Sequence, residues 1–570
     1  MLLKRVTGYA RQNGMRYTIH RAMEVLRERT FKEYDRLWRK MEPTAEELQA
    51  QRQDAAVREA GLISVVIPVY NTRPDLLLAL ANSLLAQSYE NWEACLYDGC
   101  STNPLTVKAL EEAAKKDGRF HIARGERNEG IAGNSNRAVE MAKGAWIALC
   151  DHDDLLTADA LYCVAKTICE EQPDLIYSDE DKVNEEGTVF DAPHFKPDFC
   201  PDNLRSGNYI CHLTALRRSL LDKVGGFRPD FDGSQDHDLM LRCAEATDRI
   251  VHIPRVLYHW RTVGASMSHQ QLERCLNAAS RAVEEHMTRI GYPGKAEQQK
   301  GVLRLTYEVK PPRQVEVIVI DSGDPKTWPG FVDALKGWHD YPVHRTVISP
   351  WRQSARDIDG DWIEWKNGGS VFPCLNRAAS QSQADVLVIL HSSVMMEGDG
   401  QWLTEMLMYA QRDDVGAVTP MLVHRRSILH AGFAVGMEDL VAGRGLDVSR
   451  YTGGWRSMLR TSHNVAAVSA ACLMIRKDHF LPFDEGYTGG LGVVDWCLRL
   501  GQMGYYHVYT PHAVGKTADS ICMKWLLLTR GTNAADAARY VAKFGENVHD
   551  SCYGEEYSHK RGNFSLPRDK

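Results

Sequence analysis

Ile63-Ser64-Val65-Val66-Ile67-Pro68-Val69 is a seven-residue run with Val or Ile at five positions. A run this short, apolar at nearly every position and rich in β-branched residues, suits a parallel strand buried on both faces. The pattern continues outward in the same sense. Pro74 to Gln87 carries an apolar stripe at helical spacing, and Trp92 to Tyr97 reads as a second strand. A helical stretch ends near Lys116, and another runs from about Asn134 to Lys143. Trp146–Cys150 and Leu175–Tyr177 are further strands. Strand and helix alternate, which predicts an α/β layered fold on a mostly parallel sheet, with its ligand beyond the carboxyl ends of the strands.

The pattern then starts again. Val315-Glu-Val-Ile-Val-Ile320 opens a second unit near Gln314. Asn136-Arg-Ala138 lies fifteen residues before Asp151, and Asn376-Arg-Ala378 lies fifteen before His391. Asp238-Leu-Met-Leu-Arg242 is echoed by Asp495-Trp-Cys-Leu-Arg499. Two matches in the same order indicate duplication of one domain. The expected layout is a basic helical leader at 1–60, a first unit at 61–268, a helical connector at 269–313, a second unit at 314–525, and a C-terminal helix and tail at 526–570.

At 570 residues the chain is too long for one compact domain, and 44% hydrophobic with 25% charged residues is ordinary globular composition. The fourteen cysteines form no CxxC pair, so reduced thiols are expected rather than a disulfide framework or zinc site. No apolar run reaches membrane-span length and no signal-peptide core opens the chain, so a cytoplasmic location is expected. Residues 1–40 hold eleven Lys and Arg against four acidic residues, leaving +7 there and −14 for the rest of a chain with net charge −7. Leu26, Phe31, Tyr34, Leu37 and Trp38 interleave those charges at helical spacing. Such a helix could touch an anionic membrane surface at its inner face, or pack on the chain's own body. A break at Glu42-Pro43-Thr44 makes Thr44 a candidate N-cap.

Acidic residues cluster where the strands end: Asp98, then Asp151-His152-Asp153-Asp154, then Asp179-Glu180-Asp181 after Leu175–Tyr177, and Asp236-His237-Asp238 at the start of a helix. A D-x-D at a strand end can hold a hard divalent cation that bridges a diphosphate, and a separate carboxylate can take a proton from an attacking hydroxyl. The bland alternative for one such cluster is an acidic loop capping a helix. Four clusters at strand ends favour a site.

Ser64-Val-Val-Ile-Pro-Val-Tyr-Asn71, Tyr97-Asp98-Gly99, Asn128-x-Gly130, Asp151-x-Asp153-Asp154 and Gln235-Asp-His-Asp-Leu239 resemble, in order, the motifs of family 2 glycosyltransferases. The match covers about residues 61–265. Tyr177-Ser-Asp-Glu-Asp-Lys182, Phe195-Lys-Pro-Asp198, Asn208-Tyr-Ile210 and the leader ending Glu42-Pro-Thr-Ala-Glu-Glu-Leu48 look like the tandem bacterial members that build surface polysaccharides. The resemblance implies the GT-A fold in two tandem units behind a helical leader. It implies an inverting hexosyl- or deoxyhexosyltransferase with a nucleotide-sugar donor, UDP- or dTDP-linked, a glycan or lipid-linked acceptor, and Mn²⁺ or Mg²⁺.

Carried over by position, the resemblance places Pro68, Tyr70, Asn71, Asp98, Asn128 and Asp151 at the donor nucleotide. Tyr70 packs on the base, Asp98 accepts from its edge, and Asp151 lies nearer the ribose. Asp153 is the metal ligand and Asp236 the catalytic base. His259 is a candidate third metal ligand or diphosphate contact, beside the alternative of an ordinary packed histidine, and Arg261 a candidate phosphate partner. Two positions depart from the pattern: Tyr97-Asp98-Gly99-Cys100 stands for Asp-Asp-Gly-Ser, and Gln235 replaces the usual Glu.

The second unit resembles the family at Asn464-Val465, Ser469–Met474 and Asp495–Arg499. Its alignment sets His391 opposite Asp151, Ser393 opposite Asp153 and Val493 opposite Asp236, so this unit is expected to keep the fold without catalysis. A different class of function, a non-catalytic scaffold binding nucleotide-sugar or glycan, is disfavoured by the intact acids of the first unit. A nucleotidyltransferase would want a Gly-rich basic loop that Tyr70-Asn-Thr-Arg-Pro74 does not supply. With no recognisable reading module, nucleic acid is not an expected partner.

Overall fold

The computed structural model describes residues 32–263, 269–299, 302–312, 314–336, 341–349, 357–366, 369–398, 400–517 and 533–553. Most of the basic leader, residues 1–31, lies outside the described residues, as do 526–532 and 554–570 of the expected tail. The chain divides into two compact units. The described residues of the first are 32–199 and 207–291, and those of the second are 200–206 and the chain from 292 onward.

The first unit is built on strands β1 (Ile63–Val69), β2 (Trp92–Asp98), β3 (Phe120–Arg124), β4 (Trp146–Leu149), β5 (Leu155–Leu156), β6 (Leu175–Val183), β7 (Phe190–His194), β8 (Thr214–Arg217) and β9 (Ile250–Arg261). Their order is β3-β2-β1-β4-β8-β6-β9-β5, with β7 paired to β6. The half from β3 to β4 is parallel, as the apolar runs predict. The other half is mixed, because β8 runs antiparallel to both β4 and β6, and β7 and β5 are antiparallel additions. The sheet is therefore less parallel than the sequence pattern suggests. Ile63, Val65, Val66, Ile67 and Val69 are all buried, and the helix Pro74–Leu85 packs Leu77, Leu80, Ala81 and Leu84 into one core with Ile63, Val65, Ile67 and Val69. Pairing of β1 with β4 stops at Val66, so the missing N–H of Pro68 costs the ladder nothing.

Strand β6 corrects a second expectation. It runs to Val183, so Asp179, Glu180 and Asp181 lie inside a strand and not beyond its end. Each is buried and paired: Asp179 with His252, Glu180 with His194 and Lys196, and Asp181 with His259 and Tyr34. This acidic run is part of a buried polar network.

The first unit also extends past both expected boundaries. The helix Lys32–Met41 buries Tyr34 and Trp38 in it, with the Tyr34 hydroxyl donating to Asp181 Oδ2 at 2.8 Å. For these ten residues, packing on the chain's own body is what the structure shows. Thr44 caps the next helix through a reciprocal box with Glu47. At the other end the helix His269–Arg289 belongs to this unit, tied by His286 and Arg289 to Glu245 and by Arg281 to the Asp230 carbonyl.

The second unit repeats the topology. Its sheet runs Asp361–Glu364, Val343–Ser349, Val315–Ile320, Val386–His391, Cys472–Arg476, Val415–His424, Tyr506–Thr517, Val394–Met396, which is the first unit's order element for element. The repeated motifs turn out to be staples. Asn136 donates to the Phe227 carbonyl and accepts from its N–H, and Asn376 makes the same pair with Phe483. Asp238 pairs with Arg242, and Asp495 with Arg499. Asn136→Ala is expected to cost about 1–3 kcal/mol by orphaning both Phe227 backbone groups. Chemical denaturation followed by fluorescence would read this, with Asn376→Ala showing a similar loss.

Within this unit, Arg412 is fully buried and pairs with Asp202 and Asp414. Asn464 completes the cluster, donating to Asp202 Oδ2 at 2.9 Å and accepting from the Asp202 N–H. The C-terminal helix Ala534–Phe544 is held by Asp536, whose carboxylate accepts from the N–H groups of Thr488 and Gly489. The thirteen described cysteines are free thiols.

Candidate active site

Three segments of the first unit converge on one cavity of about 30 Å³, room for a water-sized group. The carboxyl end of β1 supplies Val66 and Pro68, that of β4 supplies Leu149, Cys150 and Asp151, and the helix Gln235–Ala246 supplies Gln235 and Asp236. Cys211 and His212, just ahead of β8, close it. The sequence picks out Pro68, Asp151 and Asp236, and the structure brings them together. It gives no role to the Cys211-His212 pair in advance. A histidine two residues before a buried strand, with its acidic partner far off in the chain, carries no local signal.

His212 stacks on Tyr258 with ring centres 4.6 Å apart, and its Nε2 lies 3.3 Å from Asp151 Oδ2. Burial opposes its charged form, but Asp151, Glu180 and Asp154 outweigh burial and raise its pKa to about 10. In return His212 holds Asp151 below the ordinary carboxylate range against the effect of burial. Asp154 points inward. Its Oδ2 accepts from the Tyr258 hydroxyl at 2.7 Å and its Oδ1 from the Arg261 N–H at 2.7 Å. Burial, and then the Asp151 charge, push the Asp154 carboxyl upward.

Asp236 sits in the first turn of its helix. Burial first, then the nearby Asp151, raise its pKa to about 6. Gln235 is the residue that departs from the family pattern. Its Nε2 donates to Asp236 Oδ1 at 3.2 Å while its Oε1 accepts from Gly233. Where a glutamate would repel the base, this amide steadies it.

The remaining candidates divide into open groups and groups already in use. Tyr70, past the end of β1, is 41% exposed, a ring free to stack. Asp98 is buried, with Oδ1 accepting from Ser101 at 2.8 Å. Its Oδ2 has no hydrogen-bond partner and lies 3.5 Å from Arg124 Nε. Gly99 is required beside it, because a Cβ there would run into the Asn134 side chain. Asn71 is committed elsewhere: its Oδ1 accepts from the N–H groups of Thr102 and Asn103, tying the β1 and β2 loops together. Asn128 Oδ1 accepts from Gly130 and Asn134 at the start of the helix Gly130–Met141.

His259 is the packed histidine of the two sequence readings. It is buried against Trp38 and Phe190, its Nδ1 is 2.6 Å from Asp181 Oδ1, and it is not among the groups that converge on Asp151. Arg261 donates to the carbonyls of Asp153 and Glu185, fixing the acidic loop, and its Nη2 is buried without a hydrogen-bond partner.

Asp151, Asp154 and His212 each offer a ligand atom within 4.8 Å of the others. Both Asp154 oxygens are engaged, however, and His212 is drawn toward its protonated form. The D-x-D pair fits a hard cation better, since the side chains of Asp151 and Asp153 are 40% and 32% exposed and offer carboxylate oxygens.

The second unit offers nothing equivalent. Strand register sets Ser349 opposite Asp98, His391 opposite Asp151, Ser393 opposite Asp153 and Ala471 opposite His212, and the repeated Asp238–Arg242 and Asp495–Arg499 helix motifs set Val493 opposite Asp236. Burial lowers the His391 pKa to about 4, so that ring is neutral and bonds to Ser393.

This fold, a curled mixed sheet with acids at the ends of its second and fourth strands, is the GT-A fold in two tandem units. The model of glycosyl transferase family 2 matches residues 64–225, and the first unit belongs to that family. The chain is 36% identical over 492 residues to the uncharacterized protein y4gI of Sinorhizobium fredii, covering 80% of this chain and 53% of that protein. It is 32% identical over 486 residues to the O-antigen biosynthesis protein RfbC of Myxococcus xanthus, covering 81% and 38%. The Escherichia coli chondroitin synthase is 25% identical over 42% of this chain and 34% of its own length. The chain thus spans about half or less of these relatives. No helix among the described residues is long and apolar enough to cross a membrane.

Proposed function

We propose that the first unit is an inverting glycosyltransferase. It moves a hexosyl or deoxyhexosyl group from a UDP- or dTDP-sugar to a hydroxyl of a glycan or lipid-linked acceptor. The setting we propose is construction of a bacterial surface polysaccharide at the cytoplasmic face of the membrane, in keeping with the O-antigen and chondroitin names of two relatives. The observation that carries the reading is the meeting of Asp151 and Asp236 in one cavity at the strand ends, with Asp236 held near a pKa of 6.

In this reading Tyr70 stacks on the base, and Asp98 Oδ2, which makes no hydrogen bond, accepts an N–H from its edge. A divalent cation, Mn²⁺ or Mg²⁺, held by Asp153 and its neighbour Asp151, would neutralise charge on the donor diphosphate. Asp236 takes the proton of the acceptor hydroxyl as that oxygen bonds to the anomeric carbon. The anomeric C–O bond to the diphosphate breaks, its electron pair leaves with the nucleoside diphosphate, and configuration inverts. A base with a pKa near the working pH suits that transfer. The second unit, without these acids, holds the acceptor chain or a partner.

Calorimetric titration of UDP, dTDP, GDP and CMP, with and without Mn²⁺, tests the donor site. One nucleotide is expected to bind in a metal-dependent manner and to lose that binding in Asp153→Ala. Absence of binding by folded protein would overturn the reading in favour of a scaffold.

A further inference from the structure

Lys196 is the one lysine in the buried core among the described residues, with no side-chain exposure. A lysine is rarely buried unless it is paired, and an apolar side chain of that volume would pack there at less cost. Its Nζ donates to the carbonyls of Ile210 at 2.7 Å and His212 at 2.6 Å, and lies 3.4 Å from Glu180 Oε2. The same Glu180 oxygen accepts from the His212 N–H at 3.2 Å. The two charges therefore grip both backbone groups of the residue that faces Asp151. Lys196 is itself anchored, since its own N–H donates to Asp179 Oδ1 at 2.8 Å and Tyr177 donates to the next carbonyl, that of Pro197.

The duplicated unit supplies an internal control. The staples of the fold, Asn136 and the Asp238–Arg242 pair, recur there as Asn376 and Asp495–Arg499. The grip does not recur: strand register puts Leu422 opposite Glu180, just as it puts Ala471 opposite His212. Glu180 and its charge are absent from the unit that lacks the acids, which ties them to the site more than to the fold.

We propose that Lys196, acting with Glu180, is the positioning residue of the active site, fixing the backbone from Ile210 to His212 and so setting where His212 meets Asp151. This rests on the reading of that cavity as the donor site. Lys196→Met alone leaves buried Glu180 with His194 as its one remaining salt-bridge partner among the described residues and is expected to destabilise the unit. The Lys196→Met/Glu180→Gln double variant removes both charges and is the informative protein.

The double variant is expected to fold and to keep the nucleotide affinity selected by the titration above. With the matching nucleotide sugar its kcat should fall about 10²-fold at unchanged donor KM, the loss that follows a misplacement of about 1 Å. Wild-type kcat in a folded double variant would overturn the proposal. So would failure of the double variant to fold, which would make the pair a structural staple. If the wild-type chain turns over no nucleotide sugar, the donor reading fails on its own. A crystal structure of the double variant then decides the role of Lys196: a displaced 210–212 backbone supports it, and an unmoved His212–Asp151 contact overturns it.

Discussion

Asp236→Asn is expected to cripple sugar transfer while leaving nucleotide binding intact. The amide is nearly isosteric but cannot accept the acceptor's proton, so the rate should fall by about 10²–10⁴-fold, the usual weight of a positioned base. The pH dependence carries the same signature. Burial and Asp151 raise the Asp236 pKa to about 6, and the base works only when ionised. The kcat/KM of the wild-type chain should therefore fall as pH drops through about 6 and level off above it. The residual rate of the Asn variant should lack that limb. A variant retaining a tenth or more of wild-type transfer, or keeping the limb, would remove Asp236 from the base role.

The second large effect lies in the second unit. Arg412 and Asp202 are both fully buried, and neither can be solvated if its partner goes. Arg412→Leu is expected to cost about 3 kcal/mol, the low end for breaking a buried pair, because Arg205 still lies 3.3 Å from Asp202 and Asn464 still donates to it. Adding Asp202→Leu should recover part of the loss by removing the stranded charge. Urea unfolding of the single and double variants reads both numbers. A single variant as stable as wild type would show that the cluster contributes packing alone.

Much of the architecture is legible in the chain because it rests on local pattern. The apolar run Ile63–Val69 and its repeat at Val315–Ile320 fix two parallel strands, and the paired Asn and Asp–Arg motifs reveal the duplication. Asp151 and Asp236 stand out because they fall in motifs at strand and helix ends, where a layered α/β sheet places its ligand. What local pattern does not show has one cause. The side-chain carbonyl oxygens of Asn71 and Asn128 also tie their loops, and His259 packs on the leader helix, and such pairings depend on segments apart in sequence. Asp179–Asp181 looked like a strand end because charged residues rarely continue a buried strand. Here they do so only because His252, Lys196 and His259 arrive from elsewhere to pair with them. The same long-range pairing hides His212 and Lys196, whose partners lie on other strands and loops.

The departures from the family pattern also acquire physical content. Gln235 donates to Asp236 instead of repelling it, and Cys100 takes a positive φ of 65° in the turn after Gly99. Neither change removes a group that the proposed transfer needs.

Under the proposed function, one unit binds donor and the other has lost the means to do so. Equilibrium titration of the full chain with the selected nucleoside diphosphate in the presence of Mn²⁺, read as stoichiometry, tests it most directly. One nucleotide per chain, lost in Asp153→Ala, is the predicted result. Two nucleotides per chain, or one that persists in Asp153→Ala, would contradict it.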